Sequence, residues 1–153
     1  MRKEMALTSR RLERPGLTAL IFAGLVAPRI VEAQEQSLKE ALGDKSGIRR
    51  FASIVVPLDE AAVEVALDLA GRTFVVHEVP VPAETIGTFD TGLVEDFVRA
   101  FAQAAELTVH VHLKHGRSPH HVCEAEFKAL AKALGDACAL TGPGGVPSTK
   151  GAL

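Results

Sequence analysis

Three extended segments follow one another in this chain with no helix-length stretch between them, and this order narrows the possible folds more than any other feature. Phe51 to Leu58 ends at a proline-containing turn, Ala62 to Leu69 alternates as Val63, Val65, Leu67 and Leu69, and Thr73 to Val79 is rich in β-branched residues. Gly71 and Pro80 punctuate them. Before them, Gln34 to Asp44 reads as a helix with Leu38, Ala41 and Leu42 on one face and Gly43-Asp44 as its stop. After them, Thr91 to Glu106 carries apolar residues at positions 93, 94, 97, 98, 101, 102 and 105, close to the helical period. A strand from Leu107 to Leu113 succeeds it. A last helix runs from Pro119 to Ala139, with proline in its first turn and a glycine-rich exit at Gly142 to Gly145. The order α, β, β, β, α, β, α predicts an α+β, two-layer architecture: an antiparallel or mixed sheet with helices packed on one face.

The 153 residues are 47% hydrophobic, enough to fill one core. Seventeen basic and nineteen acidic residues leave a formal charge of -2, so no global field draws the chain to nucleic acid or to an anionic membrane. Seven Phe with no Trp or Tyr leave few platforms on which bases could stack. Cys123 and Cys138 stand in one helical region with no CxxC pattern, and read as buried thiols of a reducing, cytoplasmic compartment. Residues 1–36 are of another kind. Seven charged groups occupy positions 1–16 and an apolar run follows from Leu17 to Ala27. That run is shorter than the roughly 20 residues a bilayer-spanning helix needs, though it superficially resembles a signal peptide. A buried amphipathic helix, a poorly ordered leader and a mis-assigned start are the other readings of this segment.

The chemistry concentrates between His110 and Lys128, which hold five of the six histidines. Strand alternation puts His110 and His112 on one face and the neighbouring valines on the other. At the start of the last helix, His120 and Glu124 are four residues apart and share a face, so an imidazole and a carboxylate could grip one cation. His121 points about 100° away and would serve a different ion. Such nitrogen and oxygen donors suit Mn, Fe, Co, Ni or Zn alike. The alternative is a solvated His pair with a Glu that merely complements the helix dipole; His110 on the preceding strand favours the metal reading. His112 and His115 read as solvated, and His77, in an apolar run, as structural. A second, dispersed set is basic: Arg49, Arg50, Arg72 and the closing Ser148-Thr149-Lys150-Gly151, the groups a phosphate monoester needs. The closing segment lacks the spacing of a P-loop.

Taken in order, the stretches Ser37-Leu-Lys-Glu-Ala-Leu-Gly-Asp-Lys45, Gly47-Ile-Arg-Arg-Phe51, Pro57-Leu-Asp-Glu-Ala61, Leu67-Asp-Leu-Ala-Gly-Arg72, Phe89-Asp-Thr-Gly-Leu-Val-Glu95, His120-His-Val-Cys-Glu-Ala-Glu-Phe-Lys-Ala129 and Gly145-Val-Pro-Ser-Thr-Lys-Gly151 resemble imidazoleglycerol-phosphate dehydratase from residue 37 to the C terminus. The resemblance implies a half-domain of the ribosomal protein S5 domain 2-like type. It also implies conversion of imidazole glycerol phosphate to imidazole acetol phosphate in histidine biosynthesis, with two Mn2+ ions per site, in a cytoplasmic homo-oligomer with no nucleic-acid or membrane partner. On that resemblance His120, His121 and Glu124 match the second HHxxE metal motif of the family. Asp96 falls where the family often has a metal-binding His. Arg50, Arg72, Ser148 and Lys150 match the positions that hold the substrate phosphate, and Ser118 replaces a usual Asn.

The family resembles two similar halves with one HHxxE motif each, and the first half also supplies the residues that act on the substrate. Residues 1–36 offer no such half: no His precedes His77, and Val31-Glu32-Ala33 is a faint echo of the first motif. Acid and base residues are therefore unassigned, and the domain reading is an unrelated leader, 1–36, followed by the C-terminal portion of the family domain, 37–153. Two functions compete: an active dehydratase, and an inactive half-protein that binds metal or a phosphate ligand without catalysis. A secreted metal-binding module rests on the apolar leader alone. An unpaired half would expose apolar surface and self-associate.

Overall fold

The computed structural model of the chain describes residues 38–142 and 145–148, so the expectations for residues 1–36 and for Lys150 lie outside the described residues. Strands β1 (Phe51–Leu58), β2 (Ala61–Asp68), β3 (Phe74–Glu78) and β6 (Thr108–His115) form one sheet in the order β1-β2-β6-β3. β1 and β2 form a hairpin with Leu58 opposite Ala61, β6 runs antiparallel to β2, and β3 joins the other edge of β6 in parallel. The sheet is thus mixed. Helices α1 (Gly92–Ala105) and α2 (Pro119–Ala137) cover one of its faces, the α+β arrangement expected from the order of elements.

The helical segment before β1 is seen at 38–42 and stops in a turn at 43–44, as Gly43-Asp44 imply, with Gly43 at φ 51°. Two details differ from the sequence-based expectation. A two-stranded ribbon, β4 (Thr85–Ile86) with β5 (Phe89–Asp90), occupies a stretch assigned to no element. Strands of two residues carry no periodicity to detect. Finally, α2 ends at Ala137 rather than Ala139.

Seating α2 on the sheet is a matter of small side chains. Ala125, Ala129, Ala133 and Ala137 recur every fourth residue, are all fully buried, and let the helix lie close over β1 and β2, with Val56, Val63, Val65 and Leu67 in the same core. The start of α2 is fixed by Ser118, whose Oγ accepts the His121 N–H at 3.4 Å, and by Pro119 at the first helical position. On its other flank α2 meets α1: Phe97 stands edge-on to Phe127 at 5.4 Å, beside Val94 and Cys123. Burial and the nearby Glu126 carboxylate push the Cys123 thiol up to about 11, and burial also raises that of Cys138. Both sulfurs are therefore protonated near neutral pH and inert as nucleophiles.

His77 is structural, as its apolar surroundings imply. It lies on the covered face of β3, and its Nε2 sits 2.8 Å from Oε1 of Glu126, a carboxylate with no solvent exposure. The second oxygen of Glu126 has no hydrogen-bond partner among the described residues. Burying these two groups costs desolvation that their mutual hydrogen bond offsets only in part. Glu126→Leu alone should therefore destabilise the fold by about 1–3 kcal/mol by orphaning His77, and His77→Phe combined with Glu126→Leu should recover most of that in urea unfolding. The turn into α2 makes a second demand: a Cβ at Gly116 would lie 2.5 Å from Val122 Cγ2 and 3.3 Å from Ala61 Cβ. Val122 is buried and stiff, so Gly116→Ala should cost roughly 1–3 kcal/mol in the same measurement.

Candidate metal centre and phosphate anchor

The N-terminal turn of α2 brings His120 and Glu124 together as their spacing requires: His120 Nε2 is 3.2 Å from Glu124 Oε2. Glu124 also accepts from Lys128 at 2.8 Å, one turn further on, and this hydrogen bond holds its carboxyl below the usual range. Glu124 is accordingly an anionic donor at neutral pH. His121 faces a different set of groups. Its Nδ1 lies 2.7 Å from Glu60 Oε2, and its Nε2 lies 3.7 Å from Asp59 Oδ2. Asp59 and Glu60 form the two-residue link of the β1–β2 hairpin, where Asp59 takes a left-handed conformation at φ 47° that Asp tolerates. The other oxygen of Glu60 accepts the backbone N–H groups of Ser118 at 2.7 Å and Arg117 at 3.2 Å.

These contacts set the charges. The His121 hydrogen bond, followed by the Ser118 amide, lowers the Glu60 carboxyl to about 2, and the same carboxylate raises the His121 imidazole above its ordinary 6.5. The depressed Glu60 contributes stability that is lost as pH falls toward about 2, whereas the raised His121 contributes stability that is lost as pH rises through its folded value.

Two candidate sets of donor atoms stand at the start of α2: His120 with Glu124, and the Nε2 of His121. Among the described residues no group of three His, Cys, Asp or Glu side chains completes either one. Asp96 is exposed on α1 and makes no ion pair among the described residues, so nothing joins it to His120 or His121. His110 does not assist them. It lies on the open face of the sheet beside Phe74 and His112, opposite the face that α2 covers.

The basic set gathers only in part. Arg50 donates through Nε and Nη2 to the two oxygens of Asp68, at 2.6 and 3.1 Å, and through Nη1 to the Pro147 carbonyl at 2.8 Å, which brings it to the segment that holds Ser148. Its guanidinium carbon stands 4.4 Å from the centre of the Phe51 ring. Its backbone sits at φ 74°, an uncommon value for Arg, and is clamped by its N–H to the Ala137 carbonyl and its C=O to the Leu69 N–H. Arg72 is exposed, and its carbonyl accepts from Thr108 at 3.2 Å.

The sequence reading assigned no role to Glu60, although it lies within the Pro57 to Ala61 stretch. An acidic pair in a tight hairpin link was the available signal. Its partner is 61 residues away and could be found only from the fold.

Known proteins were compared with this chain. The family model described as imidazoleglycerol-phosphate dehydratase matches residues 32–134. The imidazoleglycerol-phosphate dehydratase of Acidothermus cellulolyticus is 51% identical over 118 residues, covering 77% of this chain and 57% of that protein. That of Granulibacter bethesdensis is 52% identical over 128 residues, covering 77% and 61%. The chain thus spans about three fifths of the length of these curated relatives. Among solved structures, the dehydratase of Staphylococcus aureus aligns with TM-score 0.69 at 38% identity, covering 74% of this chain and 68% of that one. The Pyrococcus furiosus enzyme aligns with TM-score 0.71 at 31% identity, covering 81% and 68%. By these matches the chain belongs to the imidazoleglycerol-phosphate dehydratase family.

Proposed function

We propose that this chain supplies metal donors and a phosphate anchor to an imidazoleglycerol-phosphate dehydratase, which converts imidazole glycerol phosphate to imidazole acetol phosphate in a cytoplasmic homo-oligomer. The observation that carries this reading is the pairing of His120 with Glu124 on one helix face, with His121 turned to a separate set of groups. Two Mn2+ ions, when bound, would supply Lewis acidity to the imidazole ring of the substrate. His120 and Glu124 would hold one of them, and His121 Nε2 the other, with Asp96 as a further donor. Arg50 would bind the substrate phosphate with the two-pronged geometry it now offers Asp68, helped by Arg72, Ser148 and Lys150. Held at its far end, the substrate is oriented at the reacting ring by binding energy that takes no part in the bond changes.

Helix α2 separates these groups. His120 stands at its first turn, while the Arg50 backbone is bonded to Ala137 at its last. Seventeen helical residues at about 1.5 Å each put the two ends about 25 Å apart. A glycerol chain between ring and phosphate spans less than half of that. Within one chain the Arg50 backbone thus lies far from His120, which supports an assembly in which donors from one copy face the anchor of another. Exposed Phe51, Val55 and Phe74, on the sheet face that α1 and α2 leave open, support self-association. Among the described residues no helix is long and apolar enough to cross a membrane.

The second reading, a half-protein that binds without catalysing, is favoured by the incomplete donor shells. Turnover of imidazole glycerol phosphate by the purified chain with Mn2+ would establish the first reading. Binding of Mn2+ and inorganic phosphate without turnover would establish the second, and binding of neither would refute both. Because a metal requires neutral imidazole, Mn2+ affinity measured by calorimetry should climb with pH through a midpoint above 6.5, where the raised His121 loses its proton.

A further inference from the structure

We infer that Glu60 is a positioning residue that selects the tautomer of His121, keeping the ring proton on Nδ1 and leaving the lone pair of Nε2 exposed to a metal ion. The inference rests on the metal role proposed for His121 above, and its geometric part stands without it. Glu60 is held at one oxygen by two backbone donors, Ser118 N–H at 2.7 Å and Arg117 N–H at 3.2 Å, so the position of its other oxygen is set before His121 is considered. That oxygen is 2.7 Å from His121 Nδ1. An ionised carboxylate only accepts, so the nitrogen it meets must carry the hydrogen. A neutral imidazole has a single N–H, so Nε2, which stands 3.7 Å from Asp59 Oδ2, then carries the lone pair. Histidine ligands typically give their second ring nitrogen to such a carboxylate, which fixes both tautomer and ring plane.

The fold builds this contact deliberately. The β1–β2 register places Leu58 opposite Ala61 and leaves Asp59 and Glu60 as the whole link, while the absence of a side chain at Gly116 lets the turn into α2 approach Ala61. His120, next to it, has no equivalent. Its Nε2 faces Glu124 within its own helix, and 61% of its side chain is exposed. One histidine of the pair is preset by another element of the fold, and the other is free to turn.

Glu60→Gln tests this because the amide must choose its orientation. The two backbone donors demand the amide oxygen on their side, which turns the NH2 group toward His121 Nδ1. That NH2 donates, Nδ1 must accept, and the ring proton moves to Nε2. Long-range proton–nitrogen NMR spectra of the metal-free full chain would be recorded on the alkaline side of the His121 titration, followed in the same spectra, because the Glu60 carboxylate raises that imidazole above its ordinary 6.5. His121 should carry its proton on Nδ1 in the wild type and on Nε2 in Glu60→Gln. At the same pH, Mn2+ affinity measured by calorimetry should fall roughly 10–100-fold in the variant, compared at a temperature and denaturant concentration at which urea unfolding shows both proteins folded. A wild-type His121 protonated on Nε2, or a variant with an unchanged tautomer, would overturn the inference. If Glu60→Gln fails to fold, the wild-type spectrum alone decides. The expected tautomers in a wild-type protein that binds no Mn2+ would uphold the positioning role and refute the metal role of His121.

Discussion

The close seating of α2 on the sheet is the contact on which the other features depend. Four buried alanines on one helix stripe allow it, and the bare Cα of Gly116 lets the chain enter the helix without displacing Val122. From this seating follow the burial of Glu126 against His77, the reach of Glu60 to His121, and the clamping of Arg50 against the last turn of the helix. Larger side chains on that stripe would lift the helix and uncouple all three. The candidate metal donors and the candidate phosphate anchor thus stand at the two ends of one rigid element.

The environments at those ends differ in kind. At the N-terminal end, groups are arranged to present lone pairs: Glu124 is ionised beside Lys128, and His121 is held from behind by Glu60. At the C-terminal end, a guanidinium is presented with its fork already occupied by Asp68 and its backbone in an uncommon conformation. A phosphate bound there, as proposed, would have to share or displace that carboxylate. The buried His77–Glu126 pair belongs to neither end. It holds β3 against α2 and takes part in no proposed step.

Much of this was legible in the sequence because it is local. Alternation revealed β2, β-branched residues β3, the helical period α1, and proline and glycine punctuation α2, while a four-residue spacing placed His120 beside Glu124. The apolar context of His77 marked it as structural, though not its partner. What escaped was either too short or too distant. The β4–β5 ribbon has two residues per strand, below any period. Glu60 and His121 are neighbours only because a hairpin link and a helix start meet in space. Alternation correctly placed His110 away from the valines, yet the sequence does not say that α2 lies on the valine side, so His110 was grouped with histidines it does not join.

We propose that the metal donors and the phosphate anchor serving one substrate molecule come from different copies of the chain. Subunit complementation measures this directly. A chain carrying His120→Ala with His121→Ala and a chain carrying Arg50→Ala would be unfolded, mixed and refolded together with Mn2+. Binding of imidazole glycerol phosphate would then be compared with wild type and with each variant alone. The account predicts that each variant alone binds poorly and that the mixture recovers a fraction of the wild-type sites. A mixture that binds no better than its components, alongside a wild type that binds as a monomer, would contradict it.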